Sequence, residues 1–157
     1  MHEILDNLDK ANRLFKMADH LTYVSYPLLK DNKLIITILE NLNEANNRLI
    51  DSLLYYDYYF KRIKYVPKDD IEKREIFKLY SINRYNLNKE YIVLIKNLNE
   101  IIEKRKSSKM EFVKNDKYVI WNENNLLTLN YEKIKEYINK LKPFFNQINI
   151  ILKDVRR

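Results

Sequence analysis

The chain has 157 residues and a formal net charge of +7, with 46% hydrophobic and 32% charged residues. This suits one domain with a single sizeable core and is too apolar for a disordered chain. There is no cysteine, which excludes disulfides, thiol nucleophiles and cysteine-ligated metals, and no glycine, which excludes the Gly-rich loops of P-loop and dinucleotide-binding folds. Positions that need positive φ are then expected to fall to Asn or Asp, and there are 20 asparagines. No apolar run approaches the roughly 20 residues of a membrane span, so no membrane partner is expected. The first residues carry Glu3, Asp6 and Asp9 on a helical pattern, unlike a signal or transit peptide, and a cytoplasmic protein is expected. The charge and a pI near 9.3 favour an anionic partner; a coding bias toward Lys, Asn, Ile and Tyr gives the same balance.

In chain order, Ile4, Leu8, Ala11, Phe15, Ala18 and Thr22 recur every three or four residues, predicting a first helix from His2 to about Tyr26. Pro27 cannot donate to Tyr23 and crowds its carbonyl, so this helix should end or kink there. Asp31 suits the N-cap of the next helix. That second helix reads from Leu34 to Lys64, through Ile35, Ile38, Leu42, Ala45, Leu49, Leu53, Tyr56, Phe60 and Ile63. Lys61, Arg62 and Lys64 would occupy its last turn, where cations suit the helix dipole. Val66-Pro67 ends it.

Asp69 or Asp70 caps a shorter helix over 71–80, and 81–87 reads as a polar break. Asn88 caps a further helix from Glu90 to Lys104 with a wide apolar face. A basic loop follows, Lys104-Arg105-Lys106-Ser-Ser-Lys109. The period then becomes strand-like in 111–113, 117–121 and 126–129, with Asn-rich turns at 114–116 and 122–125. The last helix runs from about Tyr131 to Val155 and carries Pro143, with a kink expected near Asn139. The fold class expected is all-α: an antiparallel bundle of four long helices with a small β-meander, about 110–130, inserted before the last helix.

Two surfaces offer binding chemistry. Tyr55, Tyr56, Tyr58, Tyr59 and Phe60 go all round a helix and run into three cations. An exposed Tyr58 or Tyr59 would stack on a base while Lys61, Arg62 and Lys64 hold phosphates; burial of the rings against other helices and the meander is the plainer expectation. Lys104, Arg105, Lys106 and Lys109, joined by Lys114 and Lys117 and by Arg156 and Arg157, form a second basic set suited to an RNA backbone or to a solvated surface. Glu40 and Glu44 lie one turn apart, with Asp51 and Asp57 beyond. No Glu-x-x-His accompanies them, so no metal site or cofactor is expected, and these carboxylates are expected in solvent or beside lysines.

Arg13 lies seven residues before His20 on one helical face. This spacing resembles the Arg-x4-6-His pattern of HEPN ribonucleases, helical bundles that cleave RNA. The resemblance implies His20 as acid–base group and Arg13 as stabiliser of a phosphorane. In that family the motif sits on a late helix, here on the first. The plainer expectation is a His20 packed at a helix–meander junction, donating to a carbonyl. Ala18–Lys33, Tyr56–Ile63 and Lys106–Ile120 together resemble a small archaeal family of helical proteins with no established activity; the resemblance implies a shared helical fold and supplies no catalytic residues. The favoured functional expectation is a non-enzymatic module that binds RNA or a ribonucleoprotein. The alternatives are a metal-independent HEPN-like ribonuclease and a helical protein that forms a homodimer through an exposed heptad face.

Overall fold

The computed structural model describes residues 1–123 and 125–156; Asn124 of the second predicted turn and Arg157 of the basic C-terminus lie outside the described residues. The chain is mostly helical, with a three-stranded antiparallel sheet before the last helix. Helix α1 is His2–His20 and continues through a wide turn, Leu21–Ser25, into Tyr26–Leu29. Helix α2 is Lys33–Tyr59, and α3 is Asp70–Ile76, prolonged through Phe77–Ser81 to Ile82–Arg84. Helix α4 is Glu90–Lys106, the strands are β1 Met110–Lys114, β2 Lys117–Asn122 and β3 Asn125–Asn130, and α5 is Tyr131–Ile151. A short 3-10 turn, Lys153–Arg156, follows α5, so the last helix stops before the expected Val155. Among the described residues no helix is long and apolar enough to cross a membrane.

Helix α2 is the spine. Ile35, Ile38, Leu42, Ala45, Leu49 and Leu53 are completely buried along its length. Helix α1 lies against it in the opposite direction, with small residues Ala11, Ala18 and Ala45 buried between them. The Ser52 hydroxyl donates to the Ile4 carbonyl at 2.7 Å, and Arg48 reaches Asn7 at 3.3 Å. Helix α5 closes over α1. Phe15 stacks on Phe145 at 4.3 Å, and Asn12 and Asn149 exchange amide hydrogen bonds. Pro143 sits inside α5, where it withholds a donor from the Asn139 carbonyl.

The first helix does not end at Pro27; it runs on to Leu29, and the reason lies in the wide turn. There the Tyr26 amide bonds the carbonyl five residues back, Leu21, instead of Thr22. In this geometry the Thr22 carbonyl would need the amide of residue 27, and a proline has none. The Tyr131 hydroxyl at the start of α5 supplies the missing donor at 2.6 Å. Thr22 turns its own hydroxyl back to Ala18 at 2.7 Å, and Tyr131 stacks on Tyr26 at 4.2 Å.

Of the expected caps, Asp69 is the N-cap of its helix and accepts from the Glu72 amide. The N-caps of α2 and α4 are Asn32 and Lys89, each one residue later than expected, while Asp31 and Asn88 accept from the Lys33 and Glu90 amides from just outside the helix. The predicted break at 81–87 is not a polar loop. Helical turns continue to Arg84, and Ser81, Ile82 and Leu87 are buried. The strands pair in the order β1-β2-β3, with Lys114 opposite Lys117 and Asn122 opposite Asn125. Tyr118, Val119 and Ile120 of the central strand are buried. Asn32, just before α2, donates to Asn115 in the first hairpin at 3.3 Å, so the sheet sits at the N-terminal end of the spine.

Among the described residues, those with positive φ are Lys30, Lys61, Asn86 and Asn115. The expectation of Asn or Asp therefore holds at two positions and fails at two, where lysine takes the left-handed conformation at a helix end.

Candidate nucleic-acid interface

Helix α2 ends at Tyr59, five residues before the expected Lys64. The stop is a Schellman motif built without glycine. Lys61 takes φ 58, its amide bonds the Tyr58 carbonyl at 2.9 Å, and the Arg62 amide bonds the Asp57 carbonyl at 2.8 Å. The three cations therefore lie past the helix, off its last turn.

Asp57 holds this turn in place. Its side chain is completely buried, accepting from Arg84 at 2.9 Å, from Arg62 at 3.5 Å and from the Tyr85 hydroxyl. Asp57 thus departs from the expectation of carboxylates in solvent or beside lysines. Two guanidinium groups and one hydroxyl serve a single carboxylate, which makes an otherwise costly buried charge tenable. Burial, then the bond to Asp57, pushes the Tyr85 hydroxyl far above its ordinary value, so it remains a donor throughout the physiological range. Asp51, one turn and a half earlier, is also buried and meets Lys73 at 2.9 Å; burial raises its carboxyl despite that lysine. Of the other acidic residues on α2, Glu40 pairs with Arg105 and Glu44 with Arg48.

The five aromatic residues divide by face. Tyr55 and Tyr56 are partly buried, whereas Tyr58, Tyr59 and Phe60 are about half exposed, at 50%, 51% and 50%. Burial of the whole block, the plainer expectation, is thus overturned; the sheet lies at the other end of α2 and cannot cover these rings. Arg62 packs over Tyr56 and Phe60, with its guanidinium 5.5 and 5.3 Å from the ring centres, and donates to Tyr85 at 2.8 Å. It is committed to the fold. The ammonium groups of Lys61 and Lys64 make no hydrogen bond or ion pair among the described residues. They line a groove of about 560 Å³ with Tyr55, Tyr58, Tyr59, Ile63 and Glu3.

The second basic set is arranged differently. Arg105 bridges Glu40 of α2 and Glu111 of β1, the latter at 3.1 Å, while Tyr118 donates to Glu111 at 2.7 Å. Lys106 pairs with Glu103 at 3.3 Å and Lys109 with Glu123. Lys104 is partly buried, and Lys114 and Lys117 are exposed. Arg156 pairs with Asp9. Arg105, Lys106, Lys109 and Arg156 are thus neutralised in place. Arg105 and the aromatic groove do not converge: Glu40, which Arg105 meets, lies most of the length of α2 from its end at Tyr59, about 28 Å at 1.5 Å per residue.

His20 is exposed and makes no hydrogen bond among the described residues, so the packed, carbonyl-bonded arrangement is not found. Arg13 is exposed and lines a groove with residues of α5 that does not include His20. Sequence reasoning missed Asp57, Arg84 and Tyr85 as the residues that set the aromatic end. One signal was present. Asp57 continues the buried face of Ile50, Leu53 and Leu54, where a carboxylate requires buried donors.

The sequence matches no family model, no curated protein and no solved structure.

Proposed function

We propose that the chain is a non-enzymatic cytoplasmic binding module that holds single-stranded RNA, free or within a ribonucleoprotein, in the groove at the end of α2. In this reading α1, α2, α4 and α5 form an antiparallel four-helix bundle that serves as a rigid scaffold. The observation that carries it is the pairing of two half-exposed phenol rings, Tyr58 and Tyr59, with two unpaired ammonium groups, Lys61 and Lys64, in one groove. Such rings stack on bases without regard to sequence, and the lysines neutralise neighbouring phosphates. The basic stretch 104–109, which begins in the last turn of α4, is assigned to the fold instead, because Arg105, Lys106 and Lys109 already meet carboxylates.

The test is fluorescence anisotropy of a labelled oligouridylate across a salt series. Affinity should fall with salt, and the Lys61→Gln/Lys64→Gln pair should lower the slope by about 1.4, at about 0.7 per lost contact to a single strand. Tyr58→Ala and Tyr59→Ala should each weaken binding by about 1–3 kcal/mol at constant salt. Absence of salt-dependent binding at physiological ionic strength overturns the proposal. So does a slope that responds to Lys104→Gln/Lys106→Gln and not to the groove pair.

A further inference from the structure

A second groove, of about 270 Å³, lies between α3 and α4. None of its lining residues belongs to the aromatic groove. Its floor is apolar and nearly dry: Phe77 is 2% exposed and Ile95 3%. Ile71 and Ile92 form its walls, and Ile71 is left 65% exposed in the first turn of its helix.

Arg74 lines this groove and is partly buried, yet its guanidinium has no hydrogen bond or ion pair among the described residues. The contrast with the other arginines is informative. Arg48, Arg62, Arg84, Arg105 and Arg156 each meet a carboxylate, and Arg13, which does not, is exposed. Its nitrogens are not among the buried polar atoms, so this guanidinium, set beside apolar walls and with no protein acceptor, is open to an incoming one. Lys78, also unpaired, and Lys96 stand at the same rim. Two carboxylates are present too: Glu100 faces Lys96 at 4.0 Å, and Glu75 is exposed. The rim therefore carries three cations against two carboxylates.

We propose that this groove binds a small amphipathic monocarboxylate, its short apolar tail on Phe77 and Ile95 and its carboxylate on Arg74. The planar guanidinium fork matches a carboxylate in two parallel hydrogen bonds, which a lysine cannot reproduce. Size limits the ligand. At about 30 Å³ per water-sized group the groove takes roughly nine non-hydrogen atoms, close to the ten of octanoate. The inference is independent of RNA binding at the other groove.

The experiment is a titration of the full chain with sodium octanoate, followed by amide chemical shifts in ¹⁵N-labelled protein, with octylamine as the charge-reversed control. Octanoate should shift the amides of Phe77, Ile92 and Ile95 saturably, with a Kd of about 1 mM or tighter for a ligand of this size. Arg74→Gln should weaken it about tenfold or more with the melting temperature unchanged, and Arg74→Lys should fall between the two. Octylamine should leave these amides unmoved. Absence of saturation, equal shifts with octylamine, or unaltered affinity in Arg74→Gln each overturns the proposal. Should Arg74→Gln fold poorly, Arg74→Lys and the octylamine control still decide it.

Discussion

Replacing Lys61 by glycine should make the protein more stable while weakening the proposed binding of RNA. The residue sits at φ 58 in the Schellman turn that ends α2. For an L-residue with a side chain the left-handed conformation costs roughly 1–2 kcal/mol. Glycine avoids that cost but loses about 0.5–1 kcal/mol more backbone entropy on folding. Both backbone bonds of the turn, Lys61 to Tyr58 and Arg62 to Asp57, survive the change, because neither uses the side chain. The expected balance for Lys61→Gly is a gain of about 0.5–1 kcal/mol, or about 1–4 °C in Tm for a chain of this size. Lys61→Asn should gain less, and Lys61→Val should lose stability, since β-branching resists this region. Urea unfolding followed by far-UV circular dichroism measures all three. In the anisotropy assay Lys61→Gly should lower the salt slope by about 0.7. A lower unfolding midpoint for Lys61→Gly than for the wild type refutes the reasoning about strain at this turn.

Three further variants probe other parts of the fold. Tyr131→Phe keeps the ring stacked on Tyr26 and removes only the donor to the buried Thr22 carbonyl; denaturant titration should show a loss of about 1–3 kcal/mol, and a change under a few tenths would mean that the carbonyl finds another partner. Asn46 is fully buried with neither amide atom hydrogen-bonded among the described residues, so Asn46→Leu should raise the urea midpoint by about 1–3 kcal/mol of stability, and a lower midpoint would show that the amide is satisfied. Burial raises the folded-state pKa of Asp51 above its unfolded value, so ionising it costs the folded state more. Its favourable contribution is complete below the unfolded value and is lost as pH rises through the folded one. Asp51→Asn should therefore gain stability relative to wild type as pH rises from about 4 toward 7, measured as urea midpoints across that window, whereas a constant difference would contradict the assignment.

Local sequence carried a good part of this fold. The apolar period marked the buried face of α2 from Ile35 to Leu53 without error, and the change of period after Lys109 marked the three strands. The helix starts near Asp31, Asp69 and Asn88 were legible to within a residue because each carries a short-range bond between a side chain and an amide two or three residues on. The end of α2 was not. Its helical period continues through Phe60 and Ile63, and no glycine or proline intervenes before Pro67. The stop is set by Arg84 and Tyr85, more than 25 residues downstream, converging on Asp57. The wide turn before Pro27 was equally hidden, because its compensation comes from Tyr131. For the candidate site, the sequence showed where cations and rings are dense. It could not show which cations were already spoken for, since Arg105 finds Glu40 across 65 positions of chain while the ammonium groups of Lys61 and Lys64 find no partner among the described residues.

The tie between Thr22 and Tyr131 has a bearing on how the chain acquires its structure. The α1–α2 hairpin can close from the first sixty residues alone, through Ser52 on Ile4 and the alanines between the two helices. The Thr22 carbonyl, the Asn12 amide and the Tyr23 hydroxyl, however, all find their partners on α5, more than 100 positions later. During synthesis the first helix must therefore wait for the last. At the ribosome's pace of about 5–20 residues per second, those groups stay open to water for several seconds after the hairpin has emerged. A nascent chain halted before residue 131 should present α1 with its wide turn unmet, and the far end of that helix is the part of the molecule where exchange with solvent should be last to slow.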